Sequence, residues 1–66
     1  KVNYYRDTDS LYIELASRPA ADSREVVRGV VLDFDADGNV VGIDIDRASE
    51  VADLSRLEAD EIPANR

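Results

Sequence analysis

The sequence contains no cysteine and no histidine. The first absence excludes disulfides, and the two together exclude a zinc site built on Cys or His ligands. They also remove Ser–His and Cys–His nucleophile schemes from this chain's own resources. No apolar run approaches the roughly 18–20 residues needed to cross a bilayer as a helix. No signal peptide is visible, so a cytoplasmic location is the expectation. Lysine occurs once, and 15 acids face 8 bases for a net charge of −7. That balance argues against phosphate-backbone binding, which depends on Lys and Arg clusters. It favours a solvated acidic surface or a basic partner. At 66 residues there is room for one domain, and a chain of this size buries only about 60% of its unfolded surface. With disulfides and Cys/His zinc excluded, oligomerisation or a partner remains as the source of further burial, so a homodimer or a stable protein partner is expected.

What is present centres on Val30 to Asp46, VVLDFDADGNVVGIDID. Asp37-Gly38 between two apolar runs predicts a hairpin with a two-residue type I′ turn. The ladder then runs from Asp35–Val40 and Phe34–Val41 out to Val30–Ile45. Period-two alternation gathers Val30, Leu32, Phe34, Val41, Ile43 and Ile45 on one face. It places Asp33, Asp35 and Asp44 on the other, where they meet solvent. A slip of one residue would carry carboxylates into the apolar face, so the pattern sets the register.

Upstream, Val2–Arg6 and Ser10–Ala16 alternate as strands around an Asp7-Thr8-Asp9 turn. Leu11, Ile13 and Leu15 share one parity, and Tyr5 and Tyr12 the outward one. Ser17–Ser23 reads as a connection and Arg24–Val27 as a weak strand with Val26 inward. Arg28-Gly29 is either a tight turn or a bulge. Asp46 or Ser49 is a suitable helix N-cap. Ala48, Val51, Leu54 and Leu57 then form a narrow apolar stripe about three turns long. The expected fold is α+β: a small antiparallel meander of four or five strands with two hairpins and one C-terminal helix. Residues 1–58 form the single domain, and 59–66 a polar tail that frays.

Tyr4, Asp9, Leu11-Tyr12-Ile13, Gly29-Val30, Leu32-Asp33, Asp35, Gly38, Val41-Gly42-Ile43 and Ala48-Ser49 stand at fixed spacings. In this the chain resembles a small bacterial family known as domain of unknown function 2283. The pattern runs Y-D-x-x-x-D-x-L-Y-I, then G-V-x-L-D-x-D-x-x-G-x-V-V-G-I-E-I, then A-S. Tyr5 departs from it where Asp is usual, and Asp46 where Leu is more frequent. The resemblance implies a small antiparallel sheet with a helix, and brings no catalytic residues with it. Its members' association with toxin-like genes suggests an antitoxin or partner-binding role.

Two chemical readings stand beside a binding role. Asp33-x-Asp35-x-Asp37-Gly38, with Asp44 at the twelfth place, approaches a calcium-loop pattern and names Asp33, Asp35, Asp37 and Asp44 as an alternative divalent-cation site. Against it, Asp44 is shorter than the usual bidentate Glu, and the flanks alternate like strands where a calcium loop needs helices. Asp33 and Asp35 could serve acid–base chemistry only inside a pocket that lifts a pKa. The expectation is therefore a non-catalytic protein-interaction module, an antitoxin-like partner of a basic protein. No catalytic, cofactor or metal residue is assigned.

Overall fold

A computed structural model describes residues 1–51. Five strands form one antiparallel sheet: β1 (Val2–Tyr5), β2 (Ser10–Glu14), β3 (Asp22–Val27), β4 (Val30–Phe34) and β5 (Val40–Ile45), followed by α1 (Ala48–Val51). The α+β architecture read from the pattern is present. The strand order is β1-β2-β5-β4-β3. The β1–β2 hairpin thus lies beside the β3-β4-β5 meander, and the last strand occupies the centre.

Side-chain alternation across this register sorts the strands into two faces. One face carries the cross-strand row Val2, Ile13, Ile43, Leu32 and Arg24, and beside it the row Tyr4, Leu11, Ile45, Val30 and Val27. The other carries Glu14, Gly42, Asp33 and Ser23, then Asn3, Tyr12, Asp44, Val31 and Glu25. We call these the apolar and the acidic face. The alternation in Val2–Tyr4, Leu11–Ile13 and Leu32–Phe34 therefore decides which surface each strand presents, as the sequence predicts.

The central hairpin closes differently from the two-residue turn at Asp37-Gly38. The loop is Ala36-Asp37-Gly38: the Asp35 carbonyl accepts from Gly38 N–H at 3.1 Å, and Asp35 N–H donates to Asn39 at 2.9 Å. Only Gly38 has positive φ, at 86°, whereas a type I′ turn requires it at both central residues. A three-residue loop offsets the ladder by one, so Phe34 pairs with Val40 rather than Val41. A bulge at Val41 then restores the count, and Val30–Ile45 through Asp33–Gly42 pair as the apolar pattern demands. Burial of the Leu32–Ile43 face outweighs the turn preference in setting the inner register.

Of the two alternatives at Arg28-Gly29 the structure has the turn, with Gly29 at φ 83°; a bulge is present too, but within β3, where the register shifts between Glu25 and Val27. Val26 is the residue the bulge leaves out of the pairing, and it is exposed rather than part of the core. Asp22 and Ser23 belong to β3 rather than to the connection.

The helix begins at Ala48, and neither Asp46 nor Ser49 caps it. Asp9, in the β1–β2 turn, does so from a distance. Its carbonyl accepts Ala48 N–H at 2.9 Å, and its carboxylate accepts Ser49 N–H at 3.1 Å. Orphan donors of a first turn are satisfied by any well-placed acceptor, local or remote. Leu54, Leu57, the 58/59 boundary and the polar tail lie outside the described residues. Among the described hydrophobic residues only Leu11, Val41 and Ala48 are buried. No helix among the described residues is long and apolar enough to cross a membrane.

Candidate functional site

The acidic face is the place to look for chemistry, because the sequence concentrates its carboxylates there. Its centre is Asp33 on β4. Tyr12, from β2, lays its ring over Gly42 of β5 and donates its hydroxyl to Asp33 Oδ2 at 2.9 Å. Ser23, from β3, donates to Asp33 Oδ1 at 2.6 Å. One carboxylate thereby ties four neighbouring strands together. Gly42 is required because a Cβ there would lie 2.5 Å from Tyr12 Cζ. The hydrogen bond to Asp33 raises the Tyr12 pKa, since the phenolate would sit beside a carboxylate. Asp44, in the adjacent row, is half-buried. Desolvation, then the charges of Asp46 and Asp33, push its carboxyl above the usual range.

Asp35 does not join this face in solvent. It is 7% exposed and folds back into its own loop. Oδ1 accepts the backbone N–H groups of Asp37 and Asn39, each at 2.9 Å. Oδ2 accepts Arg18 Nε at 2.7 Å and Asn39 Nδ2 at 3.3 Å. The Asn39 amide and then Arg18 hold its pKa down to about 2. The expectation that all three aspartates meet water fails here for a physical reason. A residue two places before a turn amide can bond it, and a carboxylate that accepts several donors is stable out of water.

A third polar cluster lies at the other end of the sheet. Tyr4 hydroxyl donates to Asp9 Oδ1 at 2.6 Å, and Ser49 hydroxyl donates to Oδ2 at 2.6 Å. The Ser49 and Tyr4 hydroxyls together lower the Asp9 pKa. Asp9 itself takes φ 52°, a left-handed conformation that Asp tolerates better than most residues.

The calcium-like spacing is therefore distributed over three environments. Asp33 bonds across the sheet, Asp35 braces the loop, and Asp37 is exposed at its tip. Among the described residues no three acidic side chains converge in a way that would hold a metal ion. Among the described residues, the cleft that Asp35 lines does not include Asp33. An open cleft of about 220 Å³ beside Arg18, Pro19 and Ala21 reaches Asp35, below the range of roughly 300–1,000 Å³ usual for ligand sites. Pattern reading missed Ser23, Arg18 and Asn39, because partners distant in sequence leave no spacing signal. The Asp35–Asp37 amide bond was accessible as an Asx turn.

The family described as "Protein of unknown function (DUF2283)" matches residues 1–49, most of the chain. This protein belongs to that family. No curated protein and no solved structure matches the chain. The polar and glycine positions that carry the DUF2283 pattern now have physical roles. Tyr4, Asp9 and Ser49 join the first turn to α1. Tyr12, Gly42 and Asp33 make the bridge across the acidic face. Asp35 and Gly38 shape the central loop, and Gly29 the turn before β4. In this DUF2283 chain the spaced residues are accounted for by folding, and what they leave free is surface.

Proposed function

We propose that this protein is a non-catalytic interaction domain whose acidic face takes a basic protein, in the manner of an antitoxin. One observation carries the reading. The strand positions of that face hold Glu14, Glu25, Asp33 and Asp44 together with Tyr5 and Tyr12, and no Lys or Arg. Tyr5 is half exposed. Carboxylates with exposed tyrosine rings suit lysine and arginine side chains, through ion pairs and cation–π contact. Desolvation first, and then the charges of Asp46 and Asp33, raise the Asp44 pKa; an arriving cation offsets the second of these.

The test is capture from an extract of the native host at low salt. A basic protein is retained by the wild type, and its affinity falls about ten-fold or more with Glu14→Lys plus Glu25→Lys. Recovery of the chain alone overturns the reading, as does a partner indifferent to the reversal. The divalent-cation alternative is separated by a melting curve. Calcium at about 5 mM leaves Tm unchanged, whereas a cation bound by the folded state would raise it.

A further inference from the structure

The central loop presents a reactive pair of residues to solvent and at the same time holds it still. Asp-Gly occurs once in the sequence, at Asp37-Gly38, and Asn-Gly does not occur. Both residues of the pair are exposed, and nothing lies within 4 Å of where a Cβ on Gly38 would stand. Three consecutive backbone amides are nonetheless tied to one residue. Gly38 N–H donates to the Asp35 carbonyl at 3.1 Å. The N–H groups of Asp37 and Asn39 donate to Asp35 Oδ1, each at 2.9 Å. We propose that Asp37 is a site of spontaneous isomerisation to isoaspartate, and that Asp35 keeps it silent in the folded chain.

The chemistry uses only the chain and water. Gly38 N attacks Asp37 Cγ and forms a new N–C bond. The amide proton and the carboxyl OH leave together as water, and a five-membered succinimide closes. Water then opens the ring at either carbonyl. Cleavage of the new N–Cγ bond restores aspartate. Cleavage of the original bond from Gly38 N to the Asp37 carbonyl carbon leaves the main chain running through the former side chain. The water lost is regained, and nothing is oxidised or reduced. Glycine in second place opens the route, because no Cβ crowds the attacking nitrogen.

Asp35 opposes the first step in two ways. Gly38 N reaches Asp37 Cγ only after rotation about the Asp37 Cα–C bond, which breaks the Gly38 hydrogen bond and pulls on the two pinned amides beside it. The nitrogen must also give up its proton, and the Asp35 carboxylate next to it disfavours the anion that forms. The reaction therefore waits for the loop to open, a local event distinct from global unfolding. The product changes the fold in turn. An extra backbone methylene enters the three-residue loop, and the amides of residues 37 and 39 no longer reach the Asp35 carboxylate together. Isomerised chains melt at a lower Tm, and the site records how long the loop has stood open.

The test is incubation of the full chain for several weeks at neutral pH, folded and in denaturant. Isoaspartate has the same mass as aspartate, so it is quantified by separating proteolytic peptides and by fragmentation that distinguishes the two backbones. In denaturant it accumulates at Asp37, and in the folded wild type about ten-fold or more slowly. Asp35→Ala, at a temperature where circular dichroism shows the sheet intact, brings the folded rate to within about three-fold of the denatured one. Gly42→Val destabilises the chain away from the loop, and its rate rises only in proportion to its unfolded fraction. Accumulation at another residue overturns the proposal, as does a folded wild type that isomerises as fast as the denatured chain, a comparison that needs no variant. An Asp35→Ala rate as slow as wild type overturns the role of Asp35, as does a Gly42→Val rate above its unfolded fraction. No partner takes part, so the outcome is independent of the acidic-face reading.

Discussion

Gly42→Val lowers stability by about 3 kcal/mol, equivalent to a fall in Tm of roughly 15 °C. The new side chain must occupy the space of the Tyr12 ring, which lies over Gly42 on its way to Asp33. Overpacking alone costs about 1–3 kcal/mol, and the displaced Tyr12 leaves an Asp33 oxygen without its donor. A chain of this length holds on the order of 3–10 kcal/mol in all, so the variant is close to unfolding at physiological temperature. The cause is specific and can be isolated. In a Tyr12→Ala background the obstacle is gone, and valine suits a central strand better than glycine. There Gly42→Val raises Tm. Thermal melts of the four members of this cycle measure the coupling; a destabilisation that persists without Tyr12 refutes the account.

Asp35→Ala lowers Tm by roughly 10 °C at neutral pH, because four donors lose their acceptor at once. The pH dependence follows from linkage. The folded-state pKa of Asp35 is about 2, below its ordinary value of 3.8. Its stabilisation is fully present above the ordinary value and is lost as pH falls from there through about 2. The gap in Tm between wild type and Asp35→Ala therefore narrows across that window. Asp9, also lowered, contributes to acid unfolding in both proteins and leaves the gap unaffected. A gap that stays constant from pH 5 to pH 2 contradicts the role given to Asp35.

The strands were legible because each presents one apolar face, and alternation in Leu11–Ile13 and Leu32–Phe34 reports that directly. The inner register of the central hairpin was legible for the same reason. The loop was not: Ala36 joins it because Asp35 pulls the backbone amides of Asp37 and Asn39 onto its own carboxylate. Local dipeptide preference cannot weigh that side chain against the turn. The cap of α1 was hidden for a related reason. Its acceptor is Asp9, 40 residues away, and no reading of neighbours along the chain reaches it. On the acidic face, sequence parity grouped Asp33 with Asp44 correctly but could not reveal Ser23 and Tyr12 as its donors. It was also blind to the withdrawal of Asp35.

The placement of β5 has a consequence for how the chain acquires its shape. β5 is the last strand in order and the middle one in space, so β2 has no inner neighbour until residues 40–45 have been synthesised. Three of the four pairings join consecutive strands, and β2–β5 is the one non-local pairing, whose loop closure has to be met before its contacts form. During translation the leading hairpin must wait at the ribosome with its valine and leucine side chains uncovered. A young chain of this protein is most prone to aggregation in that interval, which ends when Ser49 reaches Asp9.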